Sequence, residues 1–142
     1  FDNGMEFFST FGGNTVSCAI GLEVLRVVLE EDLQSRALKV GEHLLQRLAE
    51  LRGRHALIGD VRGSGLFLGV ELVVDRNSLE PATRAAAAIA NHMREGGVLL
   101  GTDGPFHNVL KIRPPMPFTT EDADVLIEAL DSALRKQEQA GA

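Results

Sequence analysis

Between Thr15 and Glu31 the apolar residues wrap most of a helix's circumference, and only Glu23, Arg26 and Glu30 form a polar stripe. So narrow a wet face predicts a helix buried on most sides, by other domains or by another subunit. Asn14 stands just before it as the expected N-cap. From Asp32, the expected cap of a second helix, the pattern becomes one-sided. Leu33, Ala37, Val40, Leu44, Leu48 and Leu51 recur at steps of three and four and predict an amphipathic helix to about Arg54.

The period then changes to two. In "DVRGSGLFLGVELVVD" alternation sets Leu66, Leu68, Val70, Leu72 and Val74 on one strand face, and "DVRGS" pairs with "LFLGVELV" as a hairpin. Pro81 opens a third helix to about Glu95, with Ala85, Ala86, Ile89 and Met93 inward, and Gly96-Gly97 stops it. Two short strands, "VLLG" and "NVLKIR", follow around the turn-rich "TDGPFH". Pro114, Pro115 and Pro117 end the second strand. Thr119 and Asp122 stand in capping-box register before a last helix with Ala123, Leu126, Ile127, Leu130 and Leu134 inward, frayed from Gln137. The order predicts an α+β fold: a small, mostly antiparallel sheet of three or four strands, helices packed on one face, and a long N-terminal helix before it.

Bulk properties narrow the function classes. A net charge of -6 argues against nucleic acid as partner, because phosphate neutralisation needs a basic face. No apolar run approaches the roughly 20 residues of a membrane span. The N-terminus, with Asp2 and Glu6, lacks the form of a secretory signal, and the single cysteine, Cys18, fits a reducing cytoplasm and a place as small apolar filler in the first helix. A chain that opens on Phe1 reads as a domain excised from a longer polypeptide.

Among candidate sites, "GSGLFLG" has glycine spacing near that of a dinucleotide fingerprint, but a second strand follows where the fingerprint needs a helix. His43, His55, His92 and His107 are too scattered for a zinc site and read as solvated surface histidines. Two places remain. In "STFGGN" a threonine hydroxyl beside two glycines, at a helix start, can receive an anion; the alternative is a plain Gly-Gly turn. In "NVLKIRPP" Lys111 and Arg113 share a strand face with Val109, opposite Leu110 and Ile112. They could receive a carboxylate or phosphate, or form a solvated edge pair.

Taken in order, "STFGGN", "GDVRGSGLFLGVEL" and "NVLKIRPPMPFT" resemble the C-terminal portion of class III aminotransferases, pyridoxal-phosphate enzymes of fold type I, over essentially the whole chain. The resemblance implies a cofactor-phosphate loop at 1–14, an interdomain helix at 15–31 and a small C-terminal domain at 32–142. Thr10, with Ser9, Gly12 and Gly13, would reach across a homodimer interface to the neighbouring subunit's pyridoxal 5'-phosphate. Lys111 and Arg113 would bind the substrate, an amino acid or amine that is paired with an oxo-acid acceptor.

The sequence departs from the family pattern at two points. Thr15 replaces the usual proline after Asn14. Lys111 stands where many relatives carry the arginine of R-x-A-P-P, so a point charge replaces a planar two-pronged clamp. "DGPFHNVLKIRPPM" is nearer the branch of alanine–glyoxylate aminotransferase-like proteins and phospho-lyases, so a phosphorylated substrate is expected as an alternative. The lysines are Lys39, Lys111 and Lys136, none of them at the family's Schiff-base position. No catalytic residue is therefore expected in these residues. The large cofactor domain is the missing partner, and the chain alone is expected to be inactive. A free-standing interaction module keeping the same fold is the competing expectation.

Overall fold

The computed structural model of the chain describes residues 4–140. Residues 1–3 of the expected loop and 141–142 of the expected tail lie outside the described residues. The chain divides into two compact units, Phe1–Leu33 and Gln34–Ala142.

The first unit is an extended lead and one helix, α1 (Thr15–Glu30). Asn14 caps it as its side chain implies, Oδ1 accepting from the Ser17 N–H at 3.0 Å. On the polar stripe Arg26 binds Glu23 on one side and Glu30 at 2.8 Å on the other. No residue of α1 is buried. Val16, Ile20, Leu22, Val24, Leu25 and Leu29 are all exposed, as are Phe7, Phe8 and Phe11. Cys18 is exposed too, which corrects its expected role as core filler. Asp32 has φ 47, a left-handed conformation rather than the extended one usual at an N-cap.

The second unit carries α2 (Leu33–Arg54) from its second residue on, β1 (Ile58–Ser64), β2 (Phe67–Leu72), α3 (Thr83–Glu95), β3 (Gly101–Asp103), β4 (Val109–Ile112) and α4 (Thr120–Ala140). The four strands form one antiparallel sheet in the order β1-β2-β4-β3. The hairpin register joins Ser64 to Phe67, and Gly65 at φ 53 makes the first corner of its two-residue turn. Alternation sends Leu68, Val70 and Leu72 of β2 and Leu110 and Ile112 of β4 into one core. That core is completed by Val40, Leu44, Leu48 and Leu51 of α2, Ala86, Ile89 and Met93 of α3, and the five expected residues of α4 together with Ala133. The sheet thus buries one face, and the charged residues of its strands lie on the other.

Four boundaries differ from expectation. β2 ends at Leu72; Val73 is buried and bridges to Pro81, and Val74 is 58% exposed instead of facing the core. Pro81 is consequently part of that bridge, and α3 starts at Thr83. "VLLG" is not a strand: the Val98 N–H closes onto Met93 O, Leu99 is 84% exposed, and pairing begins only at Gly101. α4 runs helically through Gln137 to Ala140 rather than fraying there. Its start matches the capping box, Thr119 N donating to Asp122 Oδ2 at 3.0 Å and Asp122 N to Thr119 Oγ1 at 3.2 Å.

Candidate functional site

The two expected half-sites fall in different units, and each has its own geometry. In the first unit, Ser9 folds back so that its Oγ accepts from the Gly12 N–H at 3.0 Å, while Asn14 N donates to Phe11 O at 3.1 Å. Gly13 adopts φ 77, a region that side-chain-bearing residues rarely visit. These contacts fold the loop without using the Thr10 hydroxyl, which is exposed and has no hydrogen-bond partner among the described residues. An exposed hydroxyl on a tight glycine loop at a helix's positive end has the donor chemistry that a phosphate dianion takes. The residues therefore fit the phosphate of a cofactor. None of them is an amine.

In the second unit, β4 projects Lys111 away from the core while Leu110 and Ile112, at 0% and 2% exposure, face into it. Arg113 follows as the strand gives way to the prolines. Lys111 and Arg113 line one cavity of about 500 Å³, with Leu100, Pro114 and Phe118 among its walls. They differ in their neighbours. Lys111 Nζ is ion-paired with Asp103 of the adjacent strand β3. The Lys111 hydrogen bond, then the Gly104 N–H, hold the Asp103 carboxyl below its ordinary range. Arg113 is exposed and makes no ion pair among the described residues. A second groove, of about 480 Å³, lies on the outer face of the sheet and is lined by Arg62, Gly69, Asp103 and Lys111. There Arg62 is held by Asp60 at 2.8 Å and Glu71 at 2.6 Å.

The histidines did not all fall where the pattern put them. His55 is 3% exposed, with Nε2 at 2.7 Å from Asp131 and Nδ1 at 2.9 Å from Glu138, so the surface reading fails for it. His43 lies 3.0 Å from Asp124. The other lysines are distant from both half-sites in sequence and role: Lys136 Nζ is 3.3 Å from His92, and Lys39 borders a small cavity beside Thr119. Sequence reasoning missed the Asp103–Lys111 ion pair, which the pairing of β3 with β4 sets.

Comparison with known proteins defines the class. The family model of class-III aminotransferases matches residues 3–134, and the chain belongs to that family. It is 51% identical over 131 residues to alanine–glyoxylate aminotransferase 2 homolog 2, mitochondrial, of Arabidopsis thaliana, a match that covers 92% of this chain and 28% of the relative. Among solved structures it resembles a phospholyase from Arthrobacter in complex with phosphoethanolamine, with TM-score 0.86 and 43% identity, over 91% of this chain and 31% of that one. An amine transaminase from an uncultivated Pseudomonas species, in its PLP-bound form, matches with TM-score 0.82 and 34% identity, over 94% of this chain and 30% of that one. The chain thus spans under a third of the length of these relatives. The enzymes of this family depend on pyridoxal phosphate and work on amino acids or amines with oxo-acid acceptors.

Proposed function

We propose that this chain is the C-terminal part of a homodimeric class III aminotransferase, bringing a hydroxyl to the cofactor's phosphate and a cation to the substrate's anion. The observation that carries the reading is Thr10: an exposed hydroxyl left without a partner by a loop whose other groups bond one another. On this reading Thr10 Oγ1 donates to a phosphate oxygen of pyridoxal 5'-phosphate held by the neighbouring subunit. Ser9, Gly12 and Gly13 keep the loop tight and its backbone approachable. The uncovered apolar surface of α1 supports an assembly with more polypeptide than these residues provide.

When bound, the cofactor supplies the electron sink that lets an amine lose its α-proton. The Schiff-base lysine and the acid facing the pyridine nitrogen belong to a large domain outside these residues, so the chain alone carries no activity. Its own contribution on the substrate side is orientation. Arg113 and Lys111, at the end of β4, hold the anionic group of an amino acid or amine while the amine meets the cofactor. The reading assigns the parent to the cytoplasm, where the exposed thiol of Cys18 stays reduced; cell fractionation checks this, since the Arabidopsis relative is named mitochondrial.

A second reading, elimination of phosphate from a phosphorylated amine, is favoured by Lys111 in place of an arginine and by the likeness to a phospholyase. One experiment separates the two. The parent enzyme, with its upstream part, is given alanine with glyoxylate, and separately phosphoethanolamine with no acceptor. Amino transfer yields pyruvate only when glyoxylate is present; elimination releases phosphate without it. Turnover in neither mixture would sink both readings.

A further inference from the structure

Val74 and Glu80 close a loop, the Val74 N–H donating to Glu80 O at 2.8 Å, and both line a cavity of about 750 Å³. Leu57, Pro81 and Ala85 give that cavity apolar walls. The loop is held from within. Asp75 Oδ2 accepts from Ser78 N at 2.7 Å and from Asn77 N at 2.9 Å, and Asp75 O accepts from Leu79 N at 2.9 Å. Leu79 is 63% exposed and sits at φ 57, a left-handed conformation that leucine seldom adopts. A braced loop thus holds a large apolar side chain out in solvent at the edge of an apolar hollow. Arg84, in the first turn of α3, lines the same cavity as Glu80. Both are exposed, and neither makes an ion pair among the described residues. Glu138, the cavity's other charged residue, is engaged by His55 at 2.9 Å. This face is separate from the half-site at Lys111: α4 lends Leu126 to the cavity beside Arg113 and Gln137 to this one, so about 16 Å of helix lies between them.

We propose that this face joins two copies of the chain about a two-fold axis, in an interface additional to the one at Thr10. Leu79 of each copy enters the cavity of the other, and Glu80 of each pairs with Arg84 of the other. The charge balance selects a second copy as the occupant. One unpaired anion and one unpaired cation on a single patch complement each other after a half-turn, and a two-fold contact requires a surface that fits itself. Each contact is then made twice. Val74, 58% exposed, adds apolar area to the patch. The braced loop keeps the cost of ordering low when the copies meet. The inference stands apart from the readings of Thr10 and Lys111, since it uses none of their residues.

The test is sedimentation velocity of the full-length parent enzyme over a concentration series, with circular dichroism as a folding control. The unaltered enzyme is expected to form a particle of twice the mass of that formed by Leu79→Asn. Asparagine suits a left-handed backbone, so this variant loses the apolar contact and keeps its loop. Glu80→Arg and Arg84→Glu each set like charges opposite one another twice, and each should weaken the association at least about tenfold. The double variant Glu80→Arg/Arg84→Glu restores both pairs with their signs exchanged and should associate within about threefold of the unaltered enzyme. Equal masses for the unaltered enzyme and Leu79→Asn would overturn the proposal. So would a double variant that associates no better than the single ones, because an unlike partner, or upstream polypeptide of the same subunit, reads each charge by itself.

Discussion

Gly41 of α2 lies so close to Gly65 of the β1–β2 turn that a β carbon on Gly41 would sit 2.1 Å from the Gly65 carbonyl oxygen. Two more Gly65 backbone atoms would lie within 3.0 Å of it, at 2.5 and 2.7 Å. The helix and the hairpin therefore meet backbone to backbone, and the sheet's position against α2 depends on a missing side chain.

Gly41→Ala should accordingly destabilise the fold although alanine is the better helix former, because the contact is backbone and cannot rotate away. Overpacking of this kind costs about 1–3 kcal/mol, against a gain of up to about 1 kcal/mol from helix propensity. Chemical denaturation should show a net loss. Gly53, on the same helix with open space at its β-carbon position, is the control and should tolerate alanine.

The His55 cluster ties the end of α2 to the C-terminal half of α4, with both ring nitrogens against carboxylates. His55→Ala leaves Asp131 and Glu138 facing a gap and should cost about 2 kcal/mol by denaturation.

Stability should also fall in acid through Asp131. Burial pushes its carboxyl up, but the His55 hydrogen bond and the charges of Arg54, Arg135 and His55 outweigh this and hold it below its ordinary value. A carboxylate lowered in the fold stabilises it above the unfolded pKa, and that contribution is lost as pH falls through the folded pKa. The loss should thus appear below the ordinary aspartate range, and Asp131→Asn should flatten the pH dependence of the melting temperature there.

At the other end of α4, Thr119 and Asp122 bond reciprocally. Thr119→Ala should cost about 1 kcal/mol, and Thr119→Ser should recover most of it. Hydrogen exchange in the first turn of α4 is the direct readout.

Elements with a sustained period were legible in the sequence. The five leucine and valine positions of α2, the "DVRGS" hairpin and the cap of α4 all stand where pattern and turn chemistry put them. The misplaced strand at 98–101 shows the limit of that reasoning. Val98, Leu99 and Leu100 are apolar, but Val98 still closes the end of α3, and a three-residue strand has no period of its own. The phase break at Val73 likewise needs Pro81, a partner that alternation within the strand cannot reveal. His55 looked like a surface histidine because its carboxylates lie 76 and 83 residues further along the chain. Of the proposed half-sites, the outward side of Lys111 was legible from strand alternation and the tight loop around Thr10 from its glycines. Asp103 was not, since only the β3–β4 register brings it to Lys111.

The account depends most on Thr10, and retention of pyridoxal phosphate by the full-length enzyme tests it most directly. Thr10→Ala should speed cofactor loss on dialysis by about tenfold, the worth of one charge-assisted hydrogen bond to phosphate, and Thr10→Ser should restore retention. Equal retention by the alanine variant and the unaltered protein would contradict the central claim that this loop completes the cofactor's phosphate site.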